Sequence, residues 1–484
     1  MNVSVCFYIF GIILQFFSLM VFLTGFVGLG YNDASYHNFF IIGVAMFVFA
    51  SIITISQKQK DLHLTTKQGF LLTIMTWLGL SFAGSLPLYF SIDGIEFIDC
   101  WFEAVSAITT TGATVLSGLE HLDKSVQFWR MLLQWLGGMG ILVLAVAVLP
   151  FLGIGGMKLY KNELPGVSKD KLQPRIAETA KILWGIYFFL TLVWAILYYT
   201  FGMNAFDAIT HAFTTIATSG FSNYDASFGH FNNSALEYVA IFGMAICGIN
   251  FTLHYLLLAK GNISNYFKNE ELRFYISVLL IAVSLVFFIR LVTGEVADDY
   301  MMHFRHTLFN ITSLLTTTGY AVSDYDAWHE VSPMIILILM FVGGCSGSTT
   351  GGMKALRMLV ASKQGVIELR KLITPNLISY IKLDHRTIEL HIIKSVFGFI
   401  GLFVLTFCIL SIILSACGLD FKTSISAAAA TITNAGPGLG DVGPANNFGD
   451  LSSFVKFVLS FSMLLGRLEV FTFLVIFLPS FWRK

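Results

Sequence analysis

The sequence predicts an all-α polytopic membrane protein: four parallel repeats of helix, pore half-helix, loop and helix around a central pore, preceded by an amino-terminal transmembrane helix pair. Three observations predict it. Of the 484 residues 56% are hydrophobic and 12% charged, with a mean hydropathy of +0.76, a balance that soluble domains do not reach. A short motif is made four times: Ile-Thr-Thr-Thr-Gly at 108–112, Ile-Ala-Thr-Ser-Gly at 216–220, Leu-Thr-Thr-Thr-Gly at 315–319 and Ile-Thr-Asn-Ala-Gly at 432–436. Its glycines, Gly112, Gly220, Gly319 and Gly436, are spaced by 108, 99 and 117 residues, which is the regularity of a repeat architecture. Charge is sorted by side, and the sorting gives all four copies one orientation.

In chain order, two apolar stretches at 7–29 and 37–55 form the amino-terminal pair (residues 1–68). The first lacks the basic start of a signal peptide and is followed at once by further apolar helices, so it reads as a retained span. Repeat 1 (69–160) supplies spans at 69–90 and 128–152, repeat 2 (161–270) at 182–201 and 236–259, repeat 3 (271–388) at 272–292 and 331–360, and repeat 4 (389–484) at 392–414 and 453–481. Between the two spans of each repeat lies a weakly apolar stretch of about a dozen residues, at 101–109, 206–217, 307–316 and 424–433, too short to cross a bilayer.

Lysine and arginine gather in the connections at 58–67, 158–175, 260–273 and 354–386 and at 483–484, whereas acidic residues hold the opposite side at 93–99, 225, 295–299, 324–326 and 441–450. The positive-inside rule puts the basic side in the cytoplasm. Ten spans then leave both termini cytoplasmic, with every half-helix entering from outside. Parallel repeats can share an axis along the membrane normal, where the four loops meet.

Other classes of function find little support. Lysine plus arginine equals aspartate plus glutamate at 29 each, so charge offers no case for a nucleic-acid partner. Six scattered cysteines include no CxxC pair, which speaks against a disulfide framework or a zinc site. No HExxH, GxSxG or matched pair of acidic residues marks an embedded enzyme, and no Rossmann-type GxGxxG, set between a strand and a helix, marks a nucleotide site within the chain. A carrier for a larger organic solute would call for inverted repeats about a roomy pocket.

Non-helical backbone at membrane depth is tolerated only where protein buries it or water lines it. Four such loops on one axis are therefore read as a pore. Each half-helix should aim the negative end of its dipole at the centre, which favours a cation, and loop carbonyls can replace an ion's lost water. Glycine permits the positive φ that such a turn needs. The candidate ion-binding residues are Thr110, Thr111 and Gly112; Thr218, Ser219 and Gly220; Thr317, Thr318 and Gly319; and Asn434, Ala435 and Gly436. With one glycine per copy, fewer ordered ion sites are expected than in a TVGYG filter.

This fourfold motif, together with the glycine-rich segment described next, resembles the Trk/Ktr/HKT superfamily of potassium transporters over the whole chain. The extra amino-terminal helix pair makes the bacterial TrkH branch the most similar. The resemblance implies potassium uptake across the bacterial inner membrane, a homodimer, and gating by a cytoplasmic ring of the nucleotide-binding TrkA type. It implies K⁺ as the transported ion and no organic cofactor. In relatives a serine in place of the first filter glycine goes with sodium transport; all four glycines are present here, which favours potassium. The alternative within the superfamily is a Na⁺-permeable or cation-coupled symporter. Asn434, Ala435 and Pro437 set the fourth copy apart, so its contribution to the ring is expected to differ.

Two features read as a gate. The second helix of repeat 3 is interrupted at 343–354, where Gly343, Gly344, Gly347, Gly351 and Gly352 fall within twelve residues. Each glycine costs a helix about 1 kcal/mol relative to alanine. The segment lacks the Gly-Lys-Ser/Thr of a phosphate loop and is expected to lie within the membrane under the filter. In repeat 4, Arg467 falls at bilayer depth, at a cost of about 2.5 to 3.5 kcal/mol unless it meets water or a partner. Aligned through Gly137, Gly343 and Gly466, it occupies the position of Gly138 and Gly344, just inside the filter. Glu103, His211 and Asn310, each nine residues before a filter glycine, are expected to bond loop or helix backbone, and Asn250 with His254 to form a core pair on one helix face.

Overall fold

The computed structural model describes residues 3–58, 64–140, 176–261, 263–296, 298–376, 379–384 and 386–483. The expected basic connection at 158–175 and the far end of the second span of repeat 1 lie outside them, as does Lys60. The fold is helical, and among the described residues the one strand pairing is Lys382–Leu383 with Arg386–Thr387. The amino-terminal pair, Ser4–Tyr31 and Tyr36–Ser56, packs on repeat 1, where the Phe17 ring meets Trp129 edge-on at 5.4 Å.

Each repeat opens with a long outer helix: Thr66–Ser91, Ile176–Thr200, Glu270–Val292 and Leu390–Ala416. These helices are apolar all round and leave residues such as Ile281, Phe288 and Ile412 exposed, as a lipid-facing surface requires. A half-helix follows: Phe97–Ile108, Ala205–Ile216, Tyr300–Leu315 and Phe421–Ile432. At 1.5 Å per residue the three of 12 residues span about 18 Å and that of repeat 3, with 16 residues, about 24 Å, all short of the hydrocarbon core. Short polar side chains start the last three. Asn204 accepts from Asp207 N–H, Asp299 from Met302 N–H, and Asp420 from Lys422 and Thr423 N–H, relieving unpaired donors at each N-terminus. The inner halves of these helices are buried.

Two of the inner helices, those of repeats 2 and 4, depart from the expected continuous spans. That of repeat 1 is described as Lys124–Gly138. In repeat 2 the span read at 236–259 is two helices, Ser234–Cys247 and Phe251–Lys260, with a bend of 97° between them. In repeat 4 the span read at 453–481 turns by 106° after Ser453–Arg467. Repeat 3 is interrupted as expected, between Val331–Val342 and Ala355–Ile373. Local chemistry accounts for the two bends. Asn250 caps a new helix through Thr252 N–H, and Glu469 and Val470 adopt φ of +54° and +32°, which no α-helix contains. Both stretches keep a high average hydropathy across the break, even with Arg467 and Glu469 in the second, so hydropathy alone reads them as single spans.

Close backbone contact holds inner helix to half-helix. A Cβ on Gly137 would lie less than 3.0 Å from Ile108 O, and one on Gly466 equally near Ile432 O. Ile108 and Ile432 each stand four residues before their filter glycine, so Gly137 and Gly466 hold matching places and Arg467 matches Gly138. Gly137→Ala and Gly466→Ala should each destabilise by about 1–3 kcal/mol, because backbone has to move. Gly365→Ala, where a Cβ meets open space, should be neutral or stabilising by up to about 1 kcal/mol. Thermal unfolding of the three variants in detergent compares them directly.

Candidate functional site: a ring of four carbonyl loops

All four half-helices end in the same turn. Three residues before each glycine the last helical bond closes: Thr109 to Val105, Ala217 to Phe213, Thr316 to Thr312 and Thr433 to Ala429. One residue before the glycine, the N–H reaches back five residues instead, from Thr111 to Ser106, Ser219 to Thr214, Thr318 to Ser313 and Ala435 to Ala430, at 2.7–3.0 Å. The residue between adopts the left-handed conformation in every copy, with φ of +57° at Thr110, +49° at Thr218, +53° at Thr317 and +56° at Asn434. The glycines follow at +82°, +75°, +87° and +91°.

Left-handed residues at alternate positions turn consecutive carbonyls to one side. A threonine held there costs on the order of 1–3 kcal/mol, and such strain collects at functional sites. Asparagine tolerates the conformation best of these side chains. The fourth copy therefore matches the others in backbone and differs only in what its side chain does.

The four turns interlock. A Cβ on Gly112 would come within 3.0 Å of Ser219 O, one on Gly220 of Thr318 O, one on Gly319 of Ala435 O and one on Gly436 of Thr111 O. The order runs from repeat 1 through 2, 3 and 4 back to 1. Each glycine thus faces the carbonyl of the next repeat, and the twelve predicted residues come together as one closed ring.

Outside the ring lies a cavity of about 660 Å³, lined by Gly112, Gly220, Gly319 and Pro437 together with Asp225, Asp441 and Asp450. The residues nine before the glycines tie down the ascending limbs of the loops, as expected. Glu103 accepts from Thr114 Oγ1 and Val115 N–H, His211 Nε2 bonds Ser222 Oγ at 3.1 Å, and Asn310 binds Ser323 Oγ and Val322 N–H. Glu103 is itself held 2.6 Å from the buried Arg130, whose guanidinium lies 4.4 Å from the Phe221 ring centre.

The inner side of the ring is covered by segment 343–354. Gly352 N–H donates to Thr433 O at 2.9 Å, Gly351 N–H to Thr317 Oγ1 at 2.6 Å, and Thr218 Oγ1 meets Thr349 Oγ1 at 3.0 Å. The segment therefore rests on the turns of repeats 2, 3 and 4. Gly343, Gly347 and Gly352 have φ of +70°, +73° and +72°, and a Cβ on Gly351 would collide with Thr433 O. Cys345 N–H donates to Gly248 O and Phe251 N–H to Gly347 O, so the break in the second inner helix seats the far edge of the loop. Gly344, with Gly248 O and Thr350 within 3.0 Å of where its Cβ would be, has no room for a side chain.

Arg467 covers the remaining quarter. Its guanidinium donates to Gly137 O at 2.7 Å, Gly138 O at 3.2 Å and Thr349 O at 3.1 Å, bridging repeat 1 to the loop. Glu469, two residues on, pairs with Arg357 at 2.8 Å, at the start of the helix that leaves the loop.

The expected pairing of Asn250 with His254 does not form. Asn250 stands before its helix as the cap, and His254 bonds Tyr266 Oη at 2.6 Å and Ile246 O at 3.0 Å. Sequence reading also passed over Gln134 and the cross-repeat role of Asn434, whose amide donates to Thr111 Oγ1 and Met463 O, each at 2.9 Å. A glutamine and an arginine four apart in an apolar helix, Arg130 and Gln134, were the available signal.

Comparison with known proteins agrees with this architecture. The family model TrkH, described as a cation transport protein, matches residues 35–484. The Trk system potassium uptake protein TrkH of Vibrio parahaemolyticus is 40% identical over 480 residues, covering 98% of each chain, and TrkG of Escherichia coli is 36% identical over 487 residues, covering 100% of this chain and 99% of its own. The crystal structure of the potassium transporter TrkH from Vibrio parahaemolyticus superposes with a TM-score of 0.90 at 38% identity, covering 100% of both chains. Matched by the family model over most of its length, and by relatives and a solved fold over nearly all of it, the chain belongs to the TrkH family of cation transport proteins.

Proposed function

We propose that this chain takes up potassium ions across the bacterial inner membrane through the ring of four loops, with both termini cytoplasmic. The observation that carries the reading is the closed order of glycines and carbonyls, in which each repeat supplies the same left-handed turn. A cation enters the outer cavity, whose aspartates attract it, and gives up water to carbonyls held ready by the turns. Half-helix C-termini add negative potential at the centre. The names of the relatives, Trk system potassium uptake proteins, agree with potassium as the ion.

In this reading Gly343, Gly344, Gly347, Gly351, Gly352 and Arg467 form the gate, and the conformation described above is its closed state. Arg467 sets a positive charge on the ion's path, and the loop fills the space beneath three of the four turns. The polar backbone contacts of the loop can be exchanged for water when it moves aside, and its glycines allow it to do so. Control by a cytoplasmic nucleotide-binding ring of the TrkA type, and a homodimeric assembly, belong to the same proposal. So does the division into an amino-terminal pair at 1–68 and pore repeats at 69–160, 161–270, 271–388 and 389–484.

Rb⁺ uptake by the purified protein in liposomes tests the reading. Arg467→Ala, and separately removal of residues 347–350, should raise uptake several-fold while the protein stays assembled; wild-type rates in both would remove the gate. Gly220→Ala should lower uptake about tenfold or more, since a side chain at positive φ costs about 1–2 kcal/mol before any clash with Thr318 O. Unchanged Rb⁺ uptake in that variant would take the ion path away from the ring.

A further inference from the structure

The ring is fourfold in backbone but not in what stands behind it. We propose that Gln134 is a specificity-determining residue, acting through the Ser219 carbonyl to favour potassium over sodium. The inference rests on the potassium-uptake reading above. Gln134 lies on the inner helix of repeat 1 and is completely buried. Its amide crosses to repeat 2 and makes three bonds there: Nε2 donates to Ser219 O at 2.8 Å, while Oε1 accepts from Ser219 Oγ at 2.8 Å and from Phe221 N–H at 3.1 Å. The amide is oriented by these partners, since turning it over would set oxygen against the carbonyl and NH₂ against the backbone N–H.

Ser219 O is one of the four ring carbonyls, the one against which Gly112 packs. Its counterparts are Thr111 O, Thr318 O and Ala435 O. Among the described residues, Ser219 O alone of the four accepts a side-chain hydrogen bond. A carbonyl oxygen has two acceptor positions, so an ion and an amide can share it. Sharing has two effects. The bond fixes the direction of the carbonyl, and it draws electron density away from the ion, lowering the field at that quarter of the ring. Weak, well-spaced carbonyl fields favour the larger, less tightly hydrated ion, whereas strong or collapsible ones favour the smaller. Gln134 therefore pushes the ring toward K⁺, and removing its donor lets the Ser219 carbonyl move in and bind Na⁺ more strongly.

The neighbouring scaffold makes this a property of one residue. Thr111 is held by Asn434 and Thr109, and Thr318 by Thr316, all through side-chain hydroxyls, which leave the carbonyls of those residues free for the ion. At Ser219 alone the support includes the ion-facing atom.

The test is the ratio of Rb⁺ to Na⁺ uptake in liposomes for wild type and for Gln134→Met, which fills a similar volume without a donor. Melting temperatures in detergent are recorded alongside. The ratio should fall roughly fivefold, the factor that one ordinary hydrogen bond is worth. If methionine is not accommodated, Gln134→Ser, too short to reach the carbonyl, takes its place with the same expectation. A lower melting temperature and lower total uptake with the ratio at its wild-type value would assign Gln134 to packing and overturn the inference. Absence of Rb⁺ uptake in the wild-type protein would instead be a failure of the transport reading itself.

Discussion

Everything in this fold defers to a single packing constraint: four glycines stand where the carbonyl of the next loop occupies the space of a side chain. The contact is backbone on backbone, so no rotamer change can relieve an added methyl group. It is also circular. Moving one loop outward withdraws support from the next, and the ring keeps its bore only if all four half-helices keep their depth. The buried inner halves of those helices, and the glycines at 137 and 466 that let the inner helices approach them, serve that requirement.

Depth is fixed by polar ties that lipid makes necessary. Between helices in a bilayer there is no water to exclude, so small residues and hydrogen-bonded or charged pairs take over the task of association. Several pairs here join different repeats. Lys456 on the fourth inner helix reaches Asp99 on the first half-helix at 2.5 Å, and Arg305 on the third half-helix reaches Glu237 on the second inner helix at 2.7 Å. Buried pairs of this kind add little net stability but are costly to break singly, so they define which helix neighbours which. The loop beneath the ring is held in another manner, by hydrogen bonds to the turns of repeats 2, 3 and 4 and to the break in the second inner helix.

Much of this was legible in the sequence. The four motif copies and their spacing place twelve ring residues and the interrupted segment before any coordinate is known, because each signal is local: glycine for positive φ, apolar length for a span. What escaped was non-local. Hydropathy reads 236–259 and 453–481 as single spans because a bend made by a capping Asn250, or by left-handed Glu469 and Val470, leaves composition unchanged. Gln134 and Asn434 act across repeat boundaries, and nothing in the spacing of one helix reveals which carbonyl another helix will bring to it. Asn434 first read as a departure of the fourth copy, yet it is the side chain most at ease in a backbone that the other three copies force on threonine.

Arg467 depends on the four repeats being unlike one another. Four identical subunits around the axis would bring four guanidinium groups to the same level, an accumulation of like charge that the carbonyls at that level could not absorb. Here one guanidinium finds Gly137 O, Gly138 O and Thr349 O, all on other repeats, and the matching positions of repeats 1 and 3 hold Gly138 and Gly344. A solitary arginine is possible because the four repeats lie in one polypeptide and need not be identical, so that one quarter supplies the charge and others its acceptors. One arginine per ring of four turns follows from the covalent continuity of the chain.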